Sequence, residues 1–334
     1  MRTAPPVVSV VLPFRNAVAT LIEALDSIRD QSFEQFECIL VDHSSQDSSP
    51  ALAREYAARD RRFRVVHCDK SFVAALNLGV GESRGPWIAR MDADDVAHPT
   101  RLEQQVAAAR RADLDLVSCL VECFPRARLA GGMLRYEAWI NSLISDDEIR
   151  AAMFVESPLP HPSTMFRREA FERAGGYLET DGPEDYDLWL RMVIGGARVE
   201  KVAQVLLRWR ESGGRLSRND ARYSKANFFQ TKLRHFPSLV PVTRPLQIWG
   251  AGPAARRWTR CLRARGYEIR RIVDYLDHQI GRTVQGYTVE SPATIRREDG
   301  IVLAAVGVLG AREAIETELR GRGFEPLRDY LAVA

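Results

Sequence analysis

WIARMDADD, residues 87–95, decides how the rest of this chain is read. Trp87, Ile88, Ala89 and Met91 form an apolar approach that ends in three carboxylates, Asp92, Asp94 and Asp95. The pattern predicts a buried strand emptying into a charged loop. Like charges that close repel, so a folded chain keeps them together only where water, a cation or a positive partner offsets the repulsion. Hard oxygen donors at alternate positions suit Mg²⁺ or Mn²⁺ better than zinc. A solvated acidic turn capping a helix that begins near Thr100 fits the same nine residues, and the rest of the chain has to decide.

Upstream, VVSVVL (7–12) and FECILV (36–41) are continuously apolar, as in central strands of a parallel sheet covered on both faces. The first runs through Pro13 into Arg15, which reads as a strand and not as a signal peptide or a membrane span. Asn16 is placed to cap the helix that follows, with Val18, Leu21, Ile22, Leu25 and Ile28 at helical spacing. The second apolar run empties into Asp42 and His43. Helices over 49–58 and 72–80 and a short strand over 63–67 complete an alternation that predicts a doubly wound α/β sheet, with both acidic loops on one edge.

Downstream, the spacing predicts a helix over 100–110 and a strand over 114–121. Tyr136, Trp139 and Leu143 recur at helical spacing, as core or as a face turned to a substrate. In PEDYDLWLRM (183–192), Glu184, Asp185 and Asp187 crowd the first turn of a helix, more acid than a cap requires. Prolines 237, 241 and 245 follow a helix over 223–239, which divides the chain into 1–222, a helical linker 223–244 and a small unit 245–334. That unit opens on a strand and a G-x-G-x-x-A turn at Gly250, Gly252 and Ala255, with Asp274 about 22 residues on, where a ribose-binding acid sits in nucleotide-binding folds. The glycines serve equally as a tight strand-to-helix turn.

The 334 residues are 46% hydrophobic and 27% charged, enough for a substantial core. A net charge of +3 gives no strong field toward nucleic acid or an anionic membrane, although 47 Lys and Arg offer many local phosphate partners. Five cysteines without metal-ligand spacing read as reduced thiols, and no stretch is long and apolar enough to span a bilayer. The expected setting is the cytoplasm, with peripheral attachment at the inner face of a membrane compatible with it.

Several segments, taken in order over residues 7–220, resemble the family 2 glycosyltransferases. They are SVVLPFRN (9–16), ALDSIRDQSF (24–33), FECILVDHSS (36–45), AALNLG (74–79), RGPWIARMDADD (84–95), HPTRLEQQV (98–106), HPSTMFRR (161–168), GGY (175–177) and PEDYDLWLRM. The resemblance implies a nucleotide-diphospho-sugar transferase (GT-A) fold, a doubly wound mixed sheet, here followed by a small Rossmann-like α/β domain. It also implies an inverting, metal-dependent transferase that moves a sugar from a nucleotide-diphosphate donor to a glycan or lipid-linked acceptor in cell-surface polysaccharide assembly.

Residue by residue, it implies that Asp94 and Asp92 hold Mn²⁺ or Mg²⁺ and that Asp185, beside Glu184, is the general base. Pro13, Asp42, His43, Asn77, Asp92 and Arg210 fall on the nucleotide-sugar site. His43 stands where the family usually has a second acid, and Ser212 where many members have a histidine two residues after the arginine. His161 would reach the phosphates or make a loop hydrogen bond, and Gly250, Gly252 and Asp274 would form an accessory nucleotide site. A catalytically silent nucleotide-sugar-binding scaffold and a dinucleotide-dependent oxidoreductase centred on Gly250 and Gly252 are the competing readings.

Overall fold

The computed structural model describes residues 5–308 and 310–334. The chain divides into two compact units: one of residues 1–149 and 158–228, the other of residues 150–157 and 229–334. The helix Lys225–Leu239 crosses from the first unit to the second.

The first unit is built on eight strands: β1 (Val8–Phe14), β2 (Phe36–Asp42), β3 (Phe63–His67), β4 (Trp87–Arg90), β5 (Val96–Ala97), β6 (Leu116–Phe124), β7 (Met165–Arg167) and β8 (Val199–Arg210). They lie in the order β3-β2-β1-β4-β7-β6-β8-β5. β3, β2, β1 and β4 are mutually parallel, β7 is antiparallel to β4 and β6, and β8 runs parallel to β6. Every residue of β1, β2 and β4 is buried, because helices cover both faces, which explains their unbroken apolar sequences. The register sets Phe14 opposite Asp42, Asp42 opposite His67, and Val11 opposite Arg90. The loops after β2 and β4 therefore leave by the same carboxyl edge, on either side of β1, where such sheets bind ligands.

Two expectations are corrected. Asn16 does not cap the first helix, which begins at Leu21 behind Thr20. It has φ +51°, and its Oδ1 accepts the Gln46 backbone N–H (2.7 Å), so it ties the loop after β1 to the loop after β2. Val18 and Ile22 are exposed, and the buried face of that helix is Leu21, Ala24, Leu25 and Ile28. β8, the longest strand, was not among the expected elements. Glu200, Gln204 and Arg208 interrupt its apolar residues, and register shifts near Leu120 of β6 break the two-residue alternation that would mark it.

The second unit has β9 (Leu246–Trp249), β10 (Ile269–Val273), β11 (Thr283–Val284), β12 (Tyr287–Glu290), β13 (Ile301–Ala304) and β14 (Tyr330–Ala332), in the order β11-β12-β10-β9-β13-β14. All are parallel except β11. This is the small Rossmann-like α/β arrangement. Gly250 follows β9 at φ +125°, and a Cβ there would sit 2.8 Å from Val306, so the turn requires glycine for packing alone.

Candidate active site

Beyond β4, the carboxylate oxygens of Asp92, Asp94 and Asp95 lie within 4.8 Å of one another. Three arginines brace the loop that carries these buried or half-buried acids. Arg90, the last residue of β4 and 2% exposed, donates through Nη2 to Asp92 Oδ1 (2.5 Å). Beneath it Arg101, 1% exposed, donates to the Arg90 carbonyl (2.8 Å). Arg210, at the end of β8, gives its backbone N–H to Asp95 Oδ1 (2.7 Å) and its Nε–H to the Asp94 carbonyl, while its guanidinium reaches Glu23 and lies over the Phe124 ring. Strand β8 thus carries Arg210 to the acidic loop from more than a hundred residues away in sequence.

The cluster has the donor set of a divalent-cation site. Burial and the charge of Asp92 raise Asp94 to about 6, and Asp95 is pushed well above the usual carboxylate range, by burial first and then by Asp92 and Asp94. Asp95 Oδ2 is buried with no hydrogen-bond partner. An orphaned buried acceptor is costly, and hard oxygens this close are relieved by a small cation.

The second acidic group is at the first turn of the helix Glu184–Ile194, and the structure gives its three acids different tasks. Asp187 accepts from Arg191 Nε (2.8 Å), whose Nη2 also donates to the Gly176 carbonyl (2.7 Å), so it anchors the helix to the Gly175-Gly176 turn. Glu184, 1% exposed, accepts the Tyr223 hydroxyl on both oxygens (2.8 and 2.9 Å), with Arg222 at 3.7 Å and His161 Nδ1 at 4.0 Å. Among the described residues Asp185 accepts a single hydrogen bond, from the adjacent Tyr186 N–H (2.7 Å). Burial, reinforced by Glu184 and then by Asp92, pushes Asp185 up to about 8. Because the charge of Asp92 is felt at Asp185, and Arg90 interacts with both Asp92 and Glu184, the two acidic groups share one site.

His161 is buried beside Glu184. Its Nε2 is 2.7 Å from the Tyr177 hydroxyl and its ring meets Trp189 edge-on. Burial, with Arg90 nearby, holds it well below the usual histidine range and therefore neutral. Tyr177 is fixed by Asn77, whose Nδ2 donates to its carbonyl (2.9 Å) and whose Oδ1 accepts its N–H (3.1 Å). Asn77 therefore orients the wall of the site and has its amide engaged inside the protein.

At the end of β2, Asp42 accepts from Ser45 N–H (3.0 Å) and pairs with His67 Nδ1 (3.0 Å). His43 meets the Lys70 carbonyl through Nε2 (2.8 Å) and packs near the Phe72 ring. A carbonyl can only accept, so Nε2 carries the proton and Nδ1 is the acceptor in the neutral ring. Pro13 is buried one residue before the end of β1, paired with Val41. In the second unit, Asp274 accepts Ala251 N–H (2.7 Å) and Leu276 N–H (3.0 Å), which stitches the glycine turn to the end of β10. The helix 131–142 turns Glu137 and Ile140 inward, and its Tyr136 and Trp139 pack at the margin of the core near Trp209.

Sequence reasoning missed Arg90, Arg222 and Tyr223 as parts of the site. Arg90 was the findable one: an arginine inside an apolar strand has to meet a partner.

A parallel-edged mixed sheet with a buried Asp-x-Asp-Asp loop and a second acidic pair defines a nucleotide-sugar transferase architecture. The model of glycosyl transferase family 2 matches residues 9–175, half of the chain. EpsE of Bacillus subtilis, named as a glycosyltransferase, is 31% identical over 229 residues, covering 66% of this chain and 79% of that protein. The chain therefore belongs to glycosyl transferase family 2. Among solved structures, the mannosyltransferase PcManGT from Pyrobaculum calidifontis, in complex with GDP-Man and Mn²⁺, matches 98% of this chain and 83% of its own at a TM-score of 0.53 and 18% identity. S. aureus TarS 1-349 in complex with UDP-GlcNAc matches 70% of this chain at a TM-score of 0.54 and 15% identity, and this chain spans 66% of it. Both likenesses speak to the fold. Among the described residues no helix is long and apolar enough to cross a membrane.

Proposed function

We propose that this enzyme transfers a sugar, with inversion, from a nucleoside-diphosphate donor to a hydroxyl of a glycan or lipid-linked acceptor in polysaccharide assembly at the cytoplasmic face of a membrane. The observation that carries this reading is the pairing of two acidic groups of different character in one site. Asp92, Asp94 and Asp95 form a cation-type cluster, while Asp185 is a half-buried carboxylate whose affinity for a proton is raised.

Asp92 and Asp94 would hold Mn²⁺ or Mg²⁺, which supplies Lewis-acid stabilisation to the departing diphosphate. Asp185 takes the proton of the acceptor hydroxyl as its oxygen attacks the anomeric carbon from the face opposite the diphosphate. The new C–O bond forms as the bond to phosphate breaks, and the electron pair leaves with the diphosphate. A base pushed up to about 8 takes that proton far more readily than an ordinary carboxylate. Glu184 stays anchored by Tyr223 and Arg222. Arg210 braces the acidic loop and faces the phosphates. Asp42 and His43 line the nucleoside end, and the unit 229–334 is accessory to the chemistry.

The test is a panel of nucleotide sugars assayed for nucleoside diphosphate release with and without Mn²⁺. One donor turning over only with the metal is the expected result; tight donor binding with no release from any donor would make the protein a silent binder.

Tyr223 gives a separate prediction. Removing its hydroxyl in Tyr223→Phe takes from Glu184 the one donor shared by its two oxygens and favours its protonated form. A neutral Glu184 repels the Asp185 charge less, so the acid limb of the kcat profile moves to lower pH and turnover falls about tenfold. An unchanged pH profile would show Tyr223 to be packing only.

A further inference from the structure

The helix Pro253–Arg263 and the turn that follows it contain Arg256, Arg257, Arg260, Arg263 and Arg265 and no acidic residue. Its apolar side, Ala255, Trp258 and Leu262, is buried, with Trp258 against the rings of Phe229 and Phe236. Arg256, Arg260 and Arg263 fall at i, i+4 and i+7, on one exposed stripe. None of the five comes within 4.0 Å of a carboxylate among the described residues; their hydrogen bonds go to carbonyls, as from Arg256 to Ala251 and from Arg263 to Gln285. Elsewhere in the same unit Arg270, Arg271, Arg297 and Arg322 each meet an acid, while Arg244 and Arg296, like the helix arginines, donate to carbonyls. The helix Ala311–Gly321 carries Glu313, Glu316 and Glu318 among its arginines, and right-handed crossovers running in opposite directions from the centre of the sheet place it on the other face. The exposed side of the helix Pro253–Arg263 is therefore a run of positive charge that no acid among the described residues pairs.

We propose that this arginine stripe is a docking surface for the phosphate headgroups of an anionic lipid bilayer. A helix face is convex and encloses nothing, so it suits an extended array of phosphates better than one bound anion. Guanidinium groups bind such oxygens bidentately, and four to eight of them on an amphipathic helix suffice for surface attachment. Val242, 46% exposed, lies beside Gly266 where the helix ends and gives the stripe an apolar foot. A net charge of +3 gives the chain no broad positive field toward either nucleic acid or a membrane, so attraction to phosphates has to come from the local stripe. This names the surface for the peripheral attachment proposed above, and its test does not depend on turnover.

Full-length protein is floated with phosphatidylcholine vesicles with or without phosphatidylglycerol. Binding is expected only with the anionic lipid, falling as salt is raised. The triple variant R256E/R260E/R263E should lose on the order of a hundredfold in partitioning, with nucleoside diphosphate release and thermal midpoint unchanged. R256K/R260K/R263K should keep most of the binding, and R256Q/R260Q/R263Q serves if charge reversal impairs folding. Wild-type protein that stays unbound, neutralised variants that bind as well as wild type, or tighter binding to duplex DNA than to the vesicles would each overturn the proposal.

Discussion

Asp185→Asn should lower turnover by about three orders of magnitude, inside the roughly 10²–10⁴ range for loss of a positioned general base, while donor affinity stays within a few fold. The amide keeps an acceptor for the Tyr186 N–H, so the first turn of the helix is preserved and only proton acceptance is lost. The pH dependence follows from the same carboxylate. Asp185 is pushed up to about 8, so wild-type turnover should climb as pH rises toward that value, and a cation at Asp92 and Asp94 should move the limb lower by cancelling the repulsion from Asp92. Stability runs the other way. A carboxylate near 4 in the unfolded chain and near 8 in the folded one binds more protons when folded, so its ionisation erodes stability as pH rises from about 4 to about 8. Asparagine removes that penalty, and the variant should melt a few degrees above wild type at pH 8. Single-turnover kinetics and calorimetry read the two effects. A variant that turns over at wild-type speed would remove Asp185 from the chemistry.

Asp94→Asn is the second large expected effect. Replacing one of three oxygen donors that converge within 4.8 Å should weaken donor-stimulated Mn²⁺ binding and cut turnover by about 10²–10³. A chelator should abolish wild-type activity, and Mn²⁺ or Mg²⁺ should restore it. Burial and Asp92 raise Asp94 to about 6, so below that pH a proton competes for the same oxygen and Mn²⁺ affinity should fall as pH drops. Electron paramagnetic resonance with Mn²⁺ and a nucleoside diphosphate measures both. Undiminished Mn²⁺ binding in the variant would place the ion elsewhere.

Much of this site could be read before any tertiary contact was known. Parallel strands covered on both faces have to be apolar throughout, so β1, β2 and β4 announced themselves, and the acids at their ends marked the edge where ligands bind. The crowding of Glu184, Asp185 and Asp187 was equally visible. Their division of labour was not. Glu184 is held by Tyr223, 39 residues away, and Asp187 is closed off by Arg191, leaving Asp185 as the acid with a single neighbouring N–H. Nor could local periodicity place β8, whose charged residues and bulged pairing obscure its alternation, or show that it brings Arg210 to the loop of Asp94.

The amino-acid order by itself therefore determined the fold family, the positions of the acidic groups and the kind of chemistry they serve, because burial pattern and residue type are local properties. Which acid remains free to take a proton, and which arginines brace the acidic loop, was decided only in the folded protein. Pairing and desolvation depend on residues far apart in sequence.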